Sequence, residues 1–554
     1  MTRLLAPALL TALAVSGLSA PASWARIEPR GESAAPSRSV APGDDVRARI
    51  AAIPGMRVLA ERPAAPGRIV LDLAYRQPVD HRHPREGSFD QRLTLVHRST
   101  WRPMVLYSGG YDLGLSPECR SEPAVLLDAN QITTEHRYFG TSRPQQPDWS
   151  KLTIRQAADD HHRIVTALKK VYRAPWISTG GSKGGMTAVY HRRFHPDDVA
   201  GTVAYSAPNN TDDRDDTAYD AQLDQVGTPQ CRAALKSVQR TALIRRAAMT
   251  ERYERWAQSE GRTFHTIGNA DRAFELAVLR LPAMFWMHQP AASCTSVPTT
   301  ATDDQALYTW IDRVTALPVY TDQSLDPLTP YFQQLGTELG YPQYTTPHLT
   351  RLLRHPGVQE VRSYVPREIP LRFRPGAMAD IDRWVRHQGS SLMFINGETD
   401  VAVAEPFRLG SGTRDSLLLD VPGGNHHTSI AALKPQDAAR ARATLLRWAG
   451  RTTAASRTAL ASSAPLHTAG PPHRTPLGCT VVQAEGERPQ DPRIYANASA
   501  MQWLEQGHRI EVCVGPGAGC PRPRTAKQPQ AHCAPGAVSR SVHDAAHTSP
   551  GAAS

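Results

Sequence analysis

Several residue patterns that mark particular classes of protein are missing from this chain. Only 6% of its 554 residues are aromatic, its seven cysteines form no Cys-x-x-Cys pair, and no His-Glu-x-x-His pattern occurs. We therefore expect no metal and no cofactor, although histidines stand close together at 81 and 83, 161 and 162, and 426 and 427. The net charge is +11, but the basic residues are scattered singly, so a nucleic-acid partner is not expected.

Long apolar runs are also absent after the first 25 residues, and a membrane-spanning helix needs about 18 or more such residues. The first 25 residues differ, because Arg3 precedes an apolar stretch over 4–15 and small residues end the segment near Ala25. This order is typical of a secretory signal peptide, so we expect a secreted protein with no membrane anchor after cleavage. Export permits disulfides, and Cys231 and Cys294, which share a predicted helical region, could form one.

The first half of the chain alternates strand-like and helix-like segments. Residues 69–75 and 92–97 alternate apolar and polar side chains on either side of a turn-rich stretch, which predicts a β-hairpin. Residues 104–107 form a short apolar run, and residues 156–172 have the apolar spacing of a helix. A strand, a glycine-rich turn, a helix and another strand follow at 176–179, 180–184, 185–194 and 202–205. This order predicts a parallel sheet in an α/β protein.

Changes in composition divide the chain into six segments. The strand pattern is lost over 209–375 and helical periodicity replaces it, with helices expected over 233–258, 273–287 and 300–317. Strand patterns return at 392–395 and 417–421, before a last helix over 435–449. The predicted segments are a signal peptide at 1–25, a flexible leader at 26–58, two halves of an α/β core at 59–208 and 376–451, a mostly helical cap at 209–375, and a low-complexity, largely disordered extension at 452–554. A small domain held by Cys479 and Cys513 is the alternative for the extension.

The strongest chemical signal is the sequence Gly180-Gly181-Ser182-Lys183-Gly184, which matches Gly-x-Ser-x-Gly between a predicted strand and a predicted helix. At a nucleophile elbow the serine takes a strained conformation in a sharp turn, and small flanking residues let the neighbouring backbone pack closely. A glycine-rich turn can match the pattern by chance, but the strand before it and the helix after it are the expected context. We therefore predict Ser182 as a nucleophile, in an α/β-hydrolase fold with an inserted, mostly helical cap.

A serine hydroxyl needs a general base, oriented by a third group, to act as a nucleophile at neutral pH. In this fold the chain order is serine, acid, histidine. Asp400 and His426 each follow one of the two returning strands, so both should reach the edge of the sheet that carries the elbow. Asp400 is predicted to orient the base and His426 to be the base, with Glu398 and His427 as the respective alternatives.

The tetrahedral intermediate of acyl transfer also needs hydrogen-bond donors for its oxyanion. The backbone N–H of Lys183, directly after the nucleophile, is predicted as one donor. The second donor should come from the loop that follows the strand at 104–107, where the choice lies between Gly110 and Tyr111. For Gly109-Gly110, the alternative is an ordinary tight turn that has no role in catalysis.

Five stretches are distinctive in combination, at 75–81, 87–92, 135–140, 176–187 and 423–426. In them the chain resembles the bacterial PS-10 type of serine peptidase, a family of secreted tripeptidyl aminopeptidases, and more distantly prolyl carboxypeptidase and dipeptidyl peptidase II. The resemblance covers roughly residues 60–450 and implies a serine exopeptidase that releases short peptides, often after proline, from an amino terminus. It carries the family's catalytic residues over to Ser182, Asp400 and His426, although His427 stands where glycine is common.

A buried carboxylate near the pocket could pair with the free ammonium group of a peptide substrate, in a charge-assisted contact of about 1.5–3 kcal/mol. Glu135 is the candidate for this role, and an internal ion pair with Arg137 or Arg143 is the alternative. Because the same catalytic residues cleave esters and amides, a secreted esterase or lipase is the alternative activity. A catalytically silent binding protein on the same scaffold is the third hypothesis.

Overall fold

The computed structural model describes residues 46–114 and 118–451, together with two short strands, Val481–Gln483 and His508–Ile510, that pair antiparallel. The predicted signal peptide lies outside the described residues, as do the first part of the leader and most of the extension. The leader is shorter than predicted, because residues 46–51 form a helix whose Val46 and Ile50 side chains are buried. A strand then begins at Met56.

A sheet of nine strands forms the centre of the described chain. The strands are β1 (Met56–Arg62), β2 (Ile69–Pro78), β3 (Ser88–His97), β4 (Met104–Ser108), β5 (Asn130–Thr134), β6 (Trp176–Gly181), β7 (Gly201–Tyr205), β8 (Leu392–Gly397) and β9 (Leu417–Val421). Their order across the sheet is β1-β2-β3-β5-β4-β6-β7-β8-β9. The pairings of β1 with β2, β2 with β3 and β3 with β5 are antiparallel, and the others are parallel. The predicted hairpin is confirmed, because Ile69 of β2 stands opposite His97 of β3.

Helices cover the sheet and build the cap. They are α1 (Val46–Ala51), α2 (Glu122–Leu126), α3 (Ile154–Leu168), α4 (Lys183–Phe194), α5 (Thr217–Gln225), α6 (Pro229–Ile244), α7 (Arg246–Ser259), α8 (Ala270–His288), α9 (Asp304–Thr315), α10 (Asp322–Gln334), α11 (Gly376–His387) and α12 (Pro435–Trp448). Helices α5 to α10 fall in the predicted cap, which ends in short 3₁₀ and π turns. None of the helices in the described residues has the length and apolar character needed to cross a membrane.

Side chains of the central strands pack into two separate layers. Met104 and Leu106 of β4 lie in one buried cluster with Ile164 of α3, whereas Val105 lies in another with Leu445 of α12. Successive residues of a strand point to opposite faces of the sheet, so one short apolar run serves both layers. This two-layer burial explains why β4 reads as a continuous apolar run in the sequence.

The predicted helix over 233–258 is wrong as a single element. Helices α6 and α7 meet at Arg245, whose backbone leaves the helical region at φ −91° and ψ 20°. The Arg245 guanidinium donates hydrogen bonds to the carbonyl oxygens of Thr302 at 2.6 Å and Thr300 at 2.5 Å. No proline or glycine marks the break, so it depends on these contacts with a distant part of the cap.

A disulfide joins Cys231 of α6 to Cys294, with the two Cα atoms 5.5 Å apart. The pair that the sequence offers is therefore confirmed. The bond closes a loop between residues 63 positions apart. In the chain-entropy model, a crosslink over such a loop stabilises the folded state by about 4 kcal/mol.

The parallel strands place four sequence-distant loops at one edge of the sheet. The loops that follow β4, β6, β8 and β9 contain Gly110, Ser182, Asp400 and His426 respectively. Parallel strands end at the same edge, and ligand sites of open α/β sheets lie there. The strand order, the parallel pairings and the elbow between β6 and α4 confirm the predicted α/β-hydrolase fold.

Candidate active site

Ser182 occupies the sharp turn between β6 and α4. Its backbone has φ 51° and ψ −127°, a conformation that residues other than glycine rarely adopt. Its N–H donates a hydrogen bond of 2.8 Å to the carbonyl oxygen of Tyr205, at the end of the neighbouring strand β7. The strained elbow that the sequence predicts is therefore present.

Glycines 180 and 184 are required because backbone crosses backbone at the elbow. A Cβ atom on Gly180 would lie 2.4 Å from the carbonyl carbon and oxygen of Gly184. A Cβ atom on Gly184 would lie 2.1 Å from the carbonyl oxygen of Ser108, at the end of β4. Any side chain at either position would push the elbow away from β4.

Asp400 and His426 meet across the ends of β8 and β9. The Asp400 Oδ2 atom lies 2.7 Å from Nδ1 of His426, and the two residues are 1% and 7% exposed. Glu398, the alternative acid, instead accepts a hydrogen bond of 2.7 Å from the Gly423 N–H at the surface. The structure therefore brings together the acid and the histidine that the sequence favours, and His427 is not the histidine on Asp400.

The Ser182 hydroxyl lies within hydrogen-bonding range of the Tyr111 phenol, which also contacts the Tyr331 hydroxyl. Burial raises the pKa of Tyr111 well above its usual value, so the phenol is neutral. Within the described residues, Nε2 of His426 is buried and has no hydrogen-bond partner. The serine and the histidine are thus not yet hydrogen-bonded, and such bonds often close only when the substrate is bound.

The loop after β4 packs directly on the start of α4. A Cβ atom on Gly110 would lie 2.7 Å from the Gly184 nitrogen and 2.9 Å from the Lys183 carbonyl carbon. Gly110 also has φ +79°, in the region that favours glycine. Because the first N–H groups of a helix have no partner inside the helix, the Lys183 N–H can serve an oxyanion beside this loop.

The side chain of Lys183 fixes the same loop. Its ε-amino group donates a hydrogen bond of 2.6 Å to the Gly110 carbonyl oxygen and lies 5.5 and 5.1 Å from the ring centres of Tyr111 and Phe139. Lys183 is 2% exposed, and no carboxylate of the described chain forms an ion pair with it. Burial therefore lowers the pKa of Lys183 well below its usual value.

The sequence profile of the family described as PS-10 peptidase S37 matches residues 40–472, which is most of the chain. The chain belongs to the PS-10 peptidase S37 family. A prolyl tri/tetrapeptidyl aminopeptidase of Streptomyces mobaraensis is 49% identical over 423 residues, which are 76% of this chain and 88% of that protein. This S37 member is therefore a serine peptidase, and the esterase and silent-binder hypotheses are set aside.

More distant relatives of this S37 peptidase match in part. Human lysosomal Pro-X carboxypeptidase is 31% identical over 156 residues, which are 24% of this chain and 31% of that protein. Among solved structures, a proline iminopeptidase of Mycobacterium smegmatis is 17% identical with a TM-score of 0.33, and the match covers 68% of this chain and 98% of that one. The first of these relatives agrees with the distant resemblance that the sequence indicates.

Glu135, the candidate for the substrate's amino end, follows β5 and is 5% exposed. Its carboxylate accepts hydrogen bonds from the N–H and hydroxyl groups of Ser142, at 3.0 and 2.6 Å. The alternative ion pair is wrong for both arginines. Arg137 binds Asp160 at 2.7 Å, and Arg143 donates to the carbonyl oxygen of residue 138.

Asp112 follows Tyr111 in the loop after β4 and is half-buried. Burial and the negative charge of Glu135 raise the pKa of Asp112 to about 7, and burial also raises the pKa of Glu135. Two carboxyl groups that share such a site disfavour double ionisation. A positively charged ligand between them would relieve that repulsion in this peptidase.

One group of metal-binding residue types occurs within the described residues. His162, His195 and Asp198 hold ligand-type atoms within 4.8 Å of one another, and the two imidazole rings stack with centres 4.0 Å apart. Asp198 and Asp159 already bind these rings, at 2.9 and 2.7 Å. His195 follows α4, about 20 Å along the helix from Ser182. The group therefore lies far from Ser182 of this peptidase.

Sequence reasoning missed two contacts that the cap makes with the candidate catalytic site. The Tyr331 ring of α10 lies 5.3 Å from the Tyr111 ring, and the Met287 carbonyl of α8 accepts a hydrogen bond of 2.9 Å from the His426 N–H. Neither residue belongs to a local motif, because each reaches the site only through packing of the cap. The side chain of Lys183 was also missed, although its position beside the nucleophile is a local signal.

Proposed function

We propose that this peptidase is a secreted aminopeptidase that releases short peptides from the amino ends of its substrates, with Ser182, His426 and Asp400 as catalytic residues. The observation that carries the proposal is the 2.7 Å contact between Asp400 and His426 at the edge of the sheet that holds the Ser182 elbow. The prolyl tri/tetrapeptidyl aminopeptidase at 49% identity supports the substrate class.

The geometry supports an acyl-enzyme mechanism. Ser182 Oγ attacks the scissile carbonyl carbon while its proton passes to Nε2 of His426. Asp400 accepts the Nδ1–H hydrogen bond, which keeps Nε2 available and stabilises the imidazolium. The imidazolium then protonates the leaving amine as the C–N bond breaks, which leaves an ester on Ser182. Water attacks this ester, gives its proton to His426, and releases the peptide acid as Ser182 regains its proton.

The Lys183 side chain selects the second oxyanion donor. In a planar trans peptide the C=O group and the following N–H group point in opposite directions. The hydrogen bond from Lys183 Nζ to the Gly110 carbonyl therefore turns the Tyr111 N–H to the opposite side of the loop. In the proposed mechanism the N–H groups of Lys183 and Tyr111 bind the oxyanion, and Gly110 contributes its carbonyl rather than its own N–H.

Asp112 and Glu135 are the proposed site for the substrate's free ammonium group. Asp112 lies in the loop after β4 and Glu135 directly follows β5, and the charge of Glu135 raises the pKa of Asp112. An ammonium group stabilises both ionised carboxylates, since opposite charges favour the charged forms. A fixed distance between this site and Ser182 would set the length of the peptide released.

Export is the remaining part of the proposal. The Cys231–Cys294 disulfide supports it, because structural disulfides persist mainly in oxidising compartments. Amino-terminal sequencing of protein from the culture medium tests it. A mature chain that begins after residue 25 supports cleavage, and protein that stays in the cells with residue 1 retained overturns export.

The test of activity compares a tripeptidyl 4-nitroanilide that has proline before the anilide, its N-acetyl derivative, and 4-nitrophenyl acetate. We expect N-acetylation to lower kcat/KM by about 10- to 100-fold, the range for a lost charge-assisted contact. Ser182→Ala should retain only about 10³–10⁴-fold acceleration over water and lose labelling by a fluorophosphonate. The exposed Ser259 provides the matched control, Ser259→Ala. Wild-type activity in Ser182→Ala, or no loss on N-acetylation, would overturn the proposal.

A further inference from the structure

Arg280 projects from α8 into a group of tyrosines in the cap. Its guanidinium carbon lies 4.5 Å from the centre of the Tyr341 ring and 5.3 Å from that of the Tyr344 ring. The residue is only 7% exposed. Aromatic rings stabilise a cation, but they leave the five N–H donors of a guanidinium without acceptor oxygens.

Arg280 differs from the other buried arginines of the described chain, because neither a carboxylate nor a carbonyl oxygen is its partner. Arg137 donates to both carboxylate oxygens of Asp160, and Arg246 binds Glu275 at 2.6 Å. Within the described chain no carboxylate or hydrogen-bond acceptor is paired with Arg280, and its Nη1 atom is shielded from solvent. A buried charge without hydrogen bonds is costly, so an acceptor from outside the described chain is expected.

The face of α8 that carries Arg280 also contacts the catalytic histidine. Met287 stands seven residues farther along, which is two helical turns and about 10 Å. Its carbonyl oxygen accepts the backbone N–H of His426 at 2.9 Å. A spacing of seven residues returns to nearly the same side of a helix, so Arg280 and the contact with His426 share one side of α8.

Tyr331 and Tyr344 are both within electrostatic range of Arg280, and each also lies near a candidate catalytic residue. The Tyr331 ring lies 5.3 Å from that of Tyr111, whose phenol is within hydrogen-bonding range of Ser182. Tyr344 is within electrostatic range of both Arg280 and Asp400. These two tyrosines therefore link the surroundings of the guanidinium to Tyr111 and Asp400.

We propose that Arg280 binds a carbonyl-type oxygen of the peptide substrate, either a backbone carbonyl before the scissile bond or a terminal carboxylate. This inference rests on the proposed peptidase function and adds a binding site in the cap. A guanidinium has donors only, so Arg280 repels the substrate's ammonium group and binds a different part of the peptide. With the ammonium group at Asp112 and Glu135, this division of charge sets the direction of the bound chain.

Binding is measured in the Ser182→Ala protein, which holds a peptide without cutting it at the normal rate. Two proline-containing peptides of one sequence, with a free or an amidated carboxyl end, are titrated calorimetrically into Ser182→Ala and Ser182→Ala/Arg280→Ala. We expect Kd to rise about 10- to 100-fold in the double variant, as for lost charge-assisted hydrogen bonds. A rise with both peptides supports a backbone carbonyl, and a rise with the free carboxyl end alone supports a carboxylate. Equal Kd values in the two proteins overturn the proposal.

Rescue by guanidinium ion separates binding from a structural role. Arg280→Ala removes the cation beside Tyr341 and Tyr344, so millimolar guanidinium chloride should restore part of its lost kcat/KM on the tripeptidyl anilide. The control is Arg272→Ala on the same helix, whose side chain donates to the Ile267 carbonyl at 2.9 Å, and it should show no rescue. The proposal would be overturned if Arg280→Ala lowered Tm, lowered kcat/KM equally on the tripeptidyl anilide and on 4-nitrophenyl acetate, and were not rescued by guanidinium. If no peptide is hydrolysed by the wild type but the Kd difference persists, the aminopeptidase proposal fails and this one stands.

Discussion

The ε-amino group of Lys183 donates a 2.6 Å hydrogen bond to the carbonyl oxygen of Gly110, and this bond links the residue after the nucleophile to the loop after β4. One residue therefore supplies a backbone N–H beside Ser182 and holds the peptide unit that contains the other proposed donor, the Tyr111 N–H. Because Lys183 is fully buried, water does not compete for this bond.

Replacing Lys183 with methionine keeps the length of the side chain and removes the donor. We expect kcat to fall by about 10- to 100-fold with little change in KM. Complete loss of one oxyanion donor lowers kcat by about 10²–10³-fold, and in this variant the Tyr111 N–H is still present but less firmly held. The affinity for a peptide aldehyde, which mimics the tetrahedral intermediate, should fall in parallel. Lys170→Met, at an exposed position, is the control. Unchanged kcat and aldehyde affinity in Lys183→Met would show that the bond has no part in catalysis.

Ionisation of Asp112 should make the binding of the substrate's amino end stronger as the pH rises. Burial and the charge of Glu135 raise the pKa of Asp112 to about 7, so the carboxylate is its major form only above that pH. The substrate's α-ammonium group has a pKa of about 7.7–8.0 and is lost at higher pH. Binding of the amino end should therefore strengthen as pH rises through about 7 and weaken above about 8.

The Asp112→Asn protein isolates this effect. The rest of the site is common to both proteins, so the ratio of wild-type to Asp112→Asn kcat/KM reports the Asp112 carboxyl group. We expect this ratio to increase from about pH 6 to about pH 7.5 for a substrate with a free amino end. The N-acetylated substrate is the control and should give a flat ratio. A flat ratio for the free amino end as well would exclude Asp112 from its recognition.

The elbow should not tolerate a methyl group at Gly184. Its Cβ atom would lie 2.1 Å from the Ser108 carbonyl oxygen, so Gly184→Ala must displace the elbow or the end of β4. We expect a loss of about 1–3 kcal/mol in unfolding free energy, together with near-complete loss of activity. Gly376→Ala is the matched control, because no atom lies within 4 Å of the added group. It should stabilise the protein by about 0.4–1 kcal/mol in chemical denaturation. Full activity in Gly184→Ala would contradict the close packing.

The two neighbouring histidines should differ sharply on substitution. His426 contacts Asp400 at 2.7 Å, whereas the backbone N–H of His427 donates a hydrogen bond to the Asn425 side chain. His426→Gln should lower kcat by about 10⁴–10⁶, as for other catalytic histidines, and His427→Gln by less than about tenfold. Steady-state kinetics on the tripeptidyl anilide measures both. Comparable losses in the two variants would mean that His426 is not the sole base.

The Cys231–Cys294 disulfide should contribute measurably to the stability of the cap. Replacing both cysteines with alanine should lower Tm by about 3–4 °C, since about 4 kcal/mol is divided by the unfolding entropy of a chain of this size. Reduction with dithiothreitol should lower the wild-type Tm by at least this amount and affect the double variant less. Calorimetry measures both. Equal Tm values for the oxidised wild type and the double variant would contradict the estimate.

Much of the core could be predicted because its signals are local. The strand before Ser182, the helix after it and the glycines around it lie within one short segment, and each constrains the backbone by its own chemistry. The order of Ser182, Asp400 and His426 along the chain follows from the parallel sheet, which returns distant loops to one edge. The break at Arg245 could not be predicted in this way, because it results from hydrogen bonds to carbonyl groups more than fifty residues away.

Residue types and short-range spacing were therefore enough to indicate the sheet, the elbow and the acid and histidine that meet at its edge. Only folding decided that Lys183 holds Gly110, and that a cap arginine, Arg280, is buried beside two tyrosines with no carboxylate partner in the described chain. The reason is physical: these choices depend on distances between side chains from separate strands and helices. No local pattern encodes such distances, because they arise only when the layers pack.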